Sequence, residues 1–177
     1  MTLVGVGVRS WVAATVFTRL TYTGTDDRQV RPPRSGLVLV SDLEDSLSVR
    51  DCVVGYSQTY DSRDHDGLAG VLAEDCRVTM QGGRFDGTSY EGREAVLDWL
   101  EATWPETPPC IHFTGNSRVW TDAAGAGGRT DYLFVGRQPD GTIRLTGAGQ
   151  YRDRFMRDGD HWVIEERTVA MLGHPEE

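Results

Sequence analysis

Gly55-Tyr56-Ser57-Gln58-Thr59-Tyr60-Asp61-Ser62-Arg63-Asp64-His65-Asp66-Gly67-Leu68-Ala69-Gly70-Val71-Leu72-Ala73-Glu74-Asp75-Cys76 decides the reading of this chain. It reads as the end of one helix, a polar corner, a short second helix and the start of a strand. Tyr56 and Tyr60 are one helical turn apart and share a face. Val53 extends that face toward the N-terminus and marks it as the core side. Asp61 follows at the helix end, near the negative pole of the helix dipole, where a carboxylate gains nothing from that dipole. Two readings stand for it: a cap for the next turn, as Asp often is, or the partner of a group elsewhere in the fold. Asp64 caps the second helix, which carries Leu68, Val71 and Leu72.

Outward from this stretch, the chain divides into elements. Upstream, Ser41-Asp42-Leu43-Glu44 has the capping-box pattern, and Leu43, Leu47, Val49, Val53, Tyr56 and Tyr60 keep a broadly helical period up to Asp61. Downstream, Cys76 to Met80 alternates as a strand. Gln81-Gly82-Gly83 turns it into a second short strand near Arg84 to Gly87. Tyr90 to Trp104 is a third helix with Ala95, Val96, Trp99 and Leu100 inward, stopped by Pro105. A strand follows from Cys110 to Trp120, then a Gly/Ala turn at Ala123 to Gly128 and a strand from Arg129 to Arg137. Pro139-Asp140-Gly141 is a hairpin turn. Thr142 to Arg157 is a long strand, and Asp158-Gly159-Asp160 turns into the last, His161 to Met171. The order α-α-β-β-α-β-β-β-β implies an α+β fold, a largely antiparallel sheet with helices on one face.

Composition sets limits. The 177 residues suffice for one domain with a sizeable core. A formal net charge of −9 argues against nucleic-acid binding, which needs a basic face. All 18 basic residues are arginine, so no lysine is present for Schiff-base chemistry. Cys52, Cys76 and Cys110 show no C-x-x-C spacing and suit a reducing, cytoplasmic compartment. The four histidines, His65, His112, His161 and His174, form no H-x-x-x-H pattern, so no metal site is expected. Residues 1–40 are expected to be a partly disordered or lightly packed appendage. Their apolar runs are interrupted by Arg9 and Arg19, too short for a membrane span, and Arg31-Pro32-Pro33-Arg34-Ser35-Gly36 has a linker's composition. Residues 41–172 form the domain and 173–177 a tail.

The element order and four further motifs carry a resemblance. The motifs are Tyr90-Glu91-Gly92-Arg93-Glu94-Ala95, His112-Phe113-Thr114-Gly115-Asn116, Gly149 to Phe155, and Trp162-Val163-Ile164. With Tyr60 to Leu68, they resemble the SnoaL-like branch of the nuclear-transport-factor-2-like superfamily, scytalone dehydratases in particular. The resemblance implies a cone: a strongly curved sheet wrapped around three helices. Matched residue by residue, Asp61 and His112 fall where those dehydratases keep an Asp–His pair. Tyr56 matches a tyrosine that bile-acid dehydratases place five residues before the aspartate. A carboxylate on one ring nitrogen fixes the imidazole tautomer and raises its basicity, and the other nitrogen moves a proton. Tyr56 or Tyr60 would hold a substrate oxygen.

Strand alternation puts His112, Thr114 and Asn116 on one face and Ile111, Phe113 and Gly115 on the other. Met80 stands in place of a second catalytic tyrosine, Gln150 near a polar site of the long strand, and Val135 and Met171 in place of the bile-acid enzymes' further Asp and Arg. Met80, Trp99, Asn116, Val135 and Gln150 are therefore expected to border the substrate. The resemblance implies a cofactor-free lyase or isomerase acting on a small apolar cyclic or polyketide-like carbonyl compound. Its alternative is a ligand-binding or structural subunit of the same fold. It also implies a homodimer through an outer sheet face carrying Phe134, Phe155 and Trp162. Arg152, Arg154 and Arg157 are expected to pair with Asp153 or Glu165.

Overall fold

The computed structural model describes residues 40–122 and 125–172. The N-terminal appendage, the capping side chain of Ser41 and the tail lie outside the side chains described. Helix α1 (Val40–Ser62) buries Val49, Val53 and Tyr56 of its period together with Cys52, while Leu43 and Leu47, which begin that period, are exposed. Arg63 turns the corner in the left-handed region (φ 58°). Helix α2 (His65–Val71) then starts on Asp64, whose carboxylate accepts from the Gly67 N–H at 3.0 Å.

Strand β1 (Leu72–Gln81) is longer than its alternation indicated. The second strand lies later than expected. Gly83–Phe85 is a single 3₁₀ turn, and β2 is Ser89–Glu91, paired antiparallel with β1 through Arg77↔Glu91. That pairing claims Tyr90 and Glu91, so helix α3 starts only at Arg93 and runs to Thr103. Its buried stripe is Val96, Leu97, Leu100 and Thr103, with Ala95 outside. A 3₁₀ turn, Trp104–Glu106, carries Pro105 and ends it.

Strands β3 (Cys110–Asp122), β4 (Gly125–Arg137), β5 (Ile143–Asp158) and β6 (His161–Met171) form an antiparallel meander. β6 also pairs with β1 in parallel, giving one six-stranded mixed sheet of order β2-β1-β6-β5-β4-β3. The helices cover its inner face, and each fully buried Leu, Ile, Val or Phe there is worth roughly 1.5–3 kcal/mol of burial.

The outer face differs from expectation. Phe134 points inward with Tyr132, two residues away. Phe155 is fully buried, at a register shift between β5 and β6. Trp162 is buried beneath α1, its indole N–H donating to Asp45 and its ring under the Arg157 guanidinium. The exposed apolar side chains of β3, β4 and the start of β5 are instead Ile111, Phe113, Leu133, Ile143 and Leu145. Register makes neighbours of them: Ile111 opposes Val135, Val135 opposes Leu145, and Phe113 opposes Leu133.

Candidate active site

The end of α1 meets β3 at Asp61 and His112. The carboxylate grips one residue twice: Oδ2 accepts the His112 backbone N–H at 2.7 Å, and Oδ1 accepts ring Nδ1–H at 2.7 Å. The two-point hold fixes ring position and tautomer together and leaves Nε2 available. The Tyr60 ring meets the imidazole edge-on at 5.0 Å between centroids, and Phe134 lies at 4.5 Å on a tilt. The Cys110 thiol, 3.9 Å from Asp61 Oδ1, is a weak third donor. Burial, and then the Asp61 charge, push that thiol up to about 11, so it keeps its proton.

His112 opens on a cavity of about 310 Å³ between the sheet and α3, at the small end of the range of ligand pockets. Tyr56, Tyr60, Met80 and Trp99 line it beside His112, while Asp61 sits behind the imidazole. Tyr132 and Tyr151 stack at 4.5 Å along its sheet side. Burial pushes the Tyr132 phenol up to about 12, so it is a neutral donor at ordinary pH. At the mouth, Arg84 donates to Glu106 at 2.6 Å, so the lining's charged side chains neutralise one another. Trp99 stacks on Tyr90 at 4.4 Å and meets Phe85 edge-on, which fixes the wall opposite the tyrosines.

Three expected wall residues lie elsewhere. Regular alternation would turn Asn116 inward, but β3 bulges between Gly115 and Arg118, with Asn116 at φ 49°. The extra residue reverses the phase: Ser117 reaches the buried Thr130 hydroxyl at 2.9 Å, and Asn116 turns out to donate to Asp131. Gln150 is opposite Asp131 in register and donates to its other oxygen. Val135 alternates with the inward Phe134 and is likewise absent from the lining. Met171, expected where related dehydratases have an arginine, does line the cavity.

The arginine that matters structurally is Arg167, a residue with no motif around it to mark its role. It donates to both Asp153 oxygens at 2.8 Å, and both side chains are wholly buried. Asp153 is thus taken by a cross-strand neighbour on β6, while Arg157 reaches Asp45 instead. Cross-strand register would have exposed the Asp153–Arg167 pairing.

Residues 41–168 match the SnoaL-like domain family, and the chain belongs to it. Its relatives include the uncharacterized protein Rv2910c of Mycobacterium tuberculosis, 26% identical over 75% of this chain and 88% of that protein. Among solved structures it resembles LinA, elsewhere described as a hexachlorocyclohexane dehydrochlorinase. There the identity is 26%, the TM-score 0.63, and the match covers 73% of this chain and 86% of LinA. The fold is also that of the β subunit of an aromatic-ring-hydroxylating dioxygenase from Novosphingobium aromaticivorans. That match has 18% identity and a TM-score of 0.63, covering 75% of this chain and 92% of the subunit. No helix among the described residues is long and apolar enough to cross a membrane. Among them no three His, Cys, Asp or Glu side chains cluster as metal ligands would.

Proposed function

We propose that this protein is a cofactor-independent lyase or isomerase of the dehydratase or cyclase type, acting on a small, uncharged cyclic or polyketide-like carbonyl compound. The observation that carries the reading is the Asp61–His112 pair at 2.7 Å on the wall of an aromatic cavity. In dehydration, Nε2 takes a proton from the carbon next to the carbonyl. The C–H electron pair moves into the C=C of an enolate, whose oxygen accepts a hydrogen bond from Tyr56 or Tyr60. As the carbonyl re-forms, the β C–O bond breaks. The departing hydroxide takes the proton back from Nε2 and leaves as water. In isomerisation the same proton returns to a different carbon. LinA, a dehydrochlorinase by description, supports an elimination of this kind on this fold. The test is a panel of uncharged cyclic β-hydroxyketones and non-conjugated enones, followed by ultraviolet absorbance of the conjugated product. Turnover by the native chain, lowered at least ~10²-fold in His112→Ala, is the expected result. Equal rates for the two proteins would refute it.

The exposed patch of Ile111, Phe113, Leu133 and Leu145 supports a second copy of the chain as its cover, since a contiguous apolar area on a sheet face marks an association site. Phe113 is 65% exposed. Sedimentation should give a dimer for the native chain and a folded monomer for Phe113→Asp with Leu133→Asp. A native monomer at micromolar concentration would count against the dimer.

A further inference from the structure

The Asp153–Arg167 pair is an expensive feature in an inner face otherwise packed with apolar and aromatic groups. Desolvating two charges offsets most of what their attraction returns, so a buried pair is a poor route to stability. The cost is raised by Arg167 Nη1, which has no hydrogen-bond partner among the described residues. The guanidinium has a second set of contacts. Its carbon lies 4.1 Å from the Tyr56 ring centroid and 4.2 Å from that of Tyr151, in the corner formed by two rings that meet edge-on at 6.2 Å. Both tyrosines line the cavity, whereas neither Arg167 nor Asp153 does. With no exposed side-chain surface, Arg167 meets the cavity only through the rings it touches.

We propose that Asp153 and Arg167 are positioning residues for Tyr56: Asp153 holds the guanidinium over the ring, and the guanidinium makes the Tyr56 hydroxyl a stronger hydrogen-bond donor toward a substrate oxygen. The proposal rests on the reading of Tyr56 as an oxygen-holding residue. Two effects follow from the geometry. The guanidinium and the edge-on Tyr151 ring together set the plane of the Tyr56 ring, and a positive charge on the ring face stabilises the negative charge that the phenol oxygen takes up as it donates. Burial pushes the Tyr56 phenol up to about 12, and Arg167 opposes that rise. The charged and titratable groups facing it are Arg167, Tyr60, Asp153 and Tyr151. Tyr132, in the same cavity, is raised by burial alone.

Fluorine NMR of the full chain labelled with 3-fluorotyrosine tests this, because the fluorine makes each phenol acidic enough to titrate while the protein is folded. The Tyr56 resonance is assigned by its loss in Tyr56→Phe. In the double variant Asp153→Asn/Arg167→Gln, which leaves no lone buried charge, the Tyr56 midpoint should rise by about one unit, and that of Tyr132 should stay. In Asp153→Asn alone, which keeps the cation and removes the anion, the Tyr56 midpoint should fall. A merely structural pair predicts otherwise: loosening exposes the ring, so every variant lowers the midpoint. An unchanged or lowered Tyr56 midpoint in the double variant overturns the proposal, as does a rise in Asp153→Asn. The titration needs no substrate, so its outcome is separate from that of the turnover assay.

Discussion

Two carboxylate–base pairs lie on the inner side of this sheet, and they differ in what surrounds them. Asp61 and His112 keep 16% and 9% of their side-chain surface, and the imidazole borders the cavity. Asp153 and Arg167 keep none. The first pair joins a helix end to a strand; the second joins register partners on β5 and β6. An imidazole can lose and regain a proton near neutrality, whereas a guanidinium cannot. Similar pairing therefore gives a movable proton in one place and a fixed charge in the other, and only the first reaches space where a substrate can sit.

The comparison is broken most directly at His112. His112→Ala should lower turnover by ~10²- to 10⁴-fold, and Asp61→Asn should lower it less, because the carboxamide offers one acceptor where the carboxylate offers two. Initial rates on a productive member of the ketone panel check this, and an unaltered rate in Asp61→Asn would deny Asp61 its orienting role. The second pair should answer in stability. Asp153→Ala strands a buried guanidinium and should cost roughly 3–5 kcal/mol. Asp61→Ala strands a less enclosed imidazole that can stay neutral and should cost roughly 1–3 kcal/mol. Urea denaturation of both variants measures the gap, and equal losses would erase the distinction drawn between the pairs.

The tyrosines between the pairs give a smaller effect at high pH. Tyr56 and Tyr132 are raised from 10.0 to about 12. Below pH 10 they are neutral in folded and unfolded chains alike, and their contribution is fully present. As pH rises toward 12 the unfolded chain releases these protons and the folded one keeps them, so stability falls, by at most about 1.4 kcal/mol per pH unit per phenol. Urea midpoints from about pH 9 to about pH 11 should show a shallower decline in Tyr132→Phe than in the native protein. The smallest effect belongs to a third carboxylate with neither role. Asp64→Ala removes the α2 cap and should cost about 1 kcal/mol, with turnover unchanged. A loss of turnover there would mean that the corner after α1 also sets the angle of Asp61.

These contrasts also mark what the amino-acid order reveals. The stripe of Val49, Val53, Tyr56 and Tyr60 shows in the helical period, because α1 is long and unbroken. The want of a partner at Asp61 shows too, since a carboxylate at a helix C-terminus needs one. Asn116 misleads, because alternation assigns a face only while the strand stays regular, and one inserted residue at the β3 bulge reverses it. Phe134 and Trp162 mislead because an aromatic on a strand suits either face, and the α1 side chain that covers Trp162 lies 117 positions away. Arg167 is invisible for a related reason. Four arginines from 152 to 167 offer themselves to Asp153, and only the register of β5 on β6 selects one.

The parallel pairing of β1 with β6 has a consequence for synthesis on the ribosome. Among the described residues, β1 and β2 join the rest of the sheet only through β6, the final strand there in chain order, with Met80 alongside Val169. As the nascent chain emerges, α1, α2 and β1 must wait for almost the whole domain before their strand neighbour exists, so closure is late and long-range. Until then one edge of β1 is unpaired and the Tyr56 side of α1 is uncovered, a state in which a chaperone has something to hold. The cavity itself is a late product of translation: Met80 gains Val169 and Met171 as fellow wall residues only when the last strand slides in between β1 and β5.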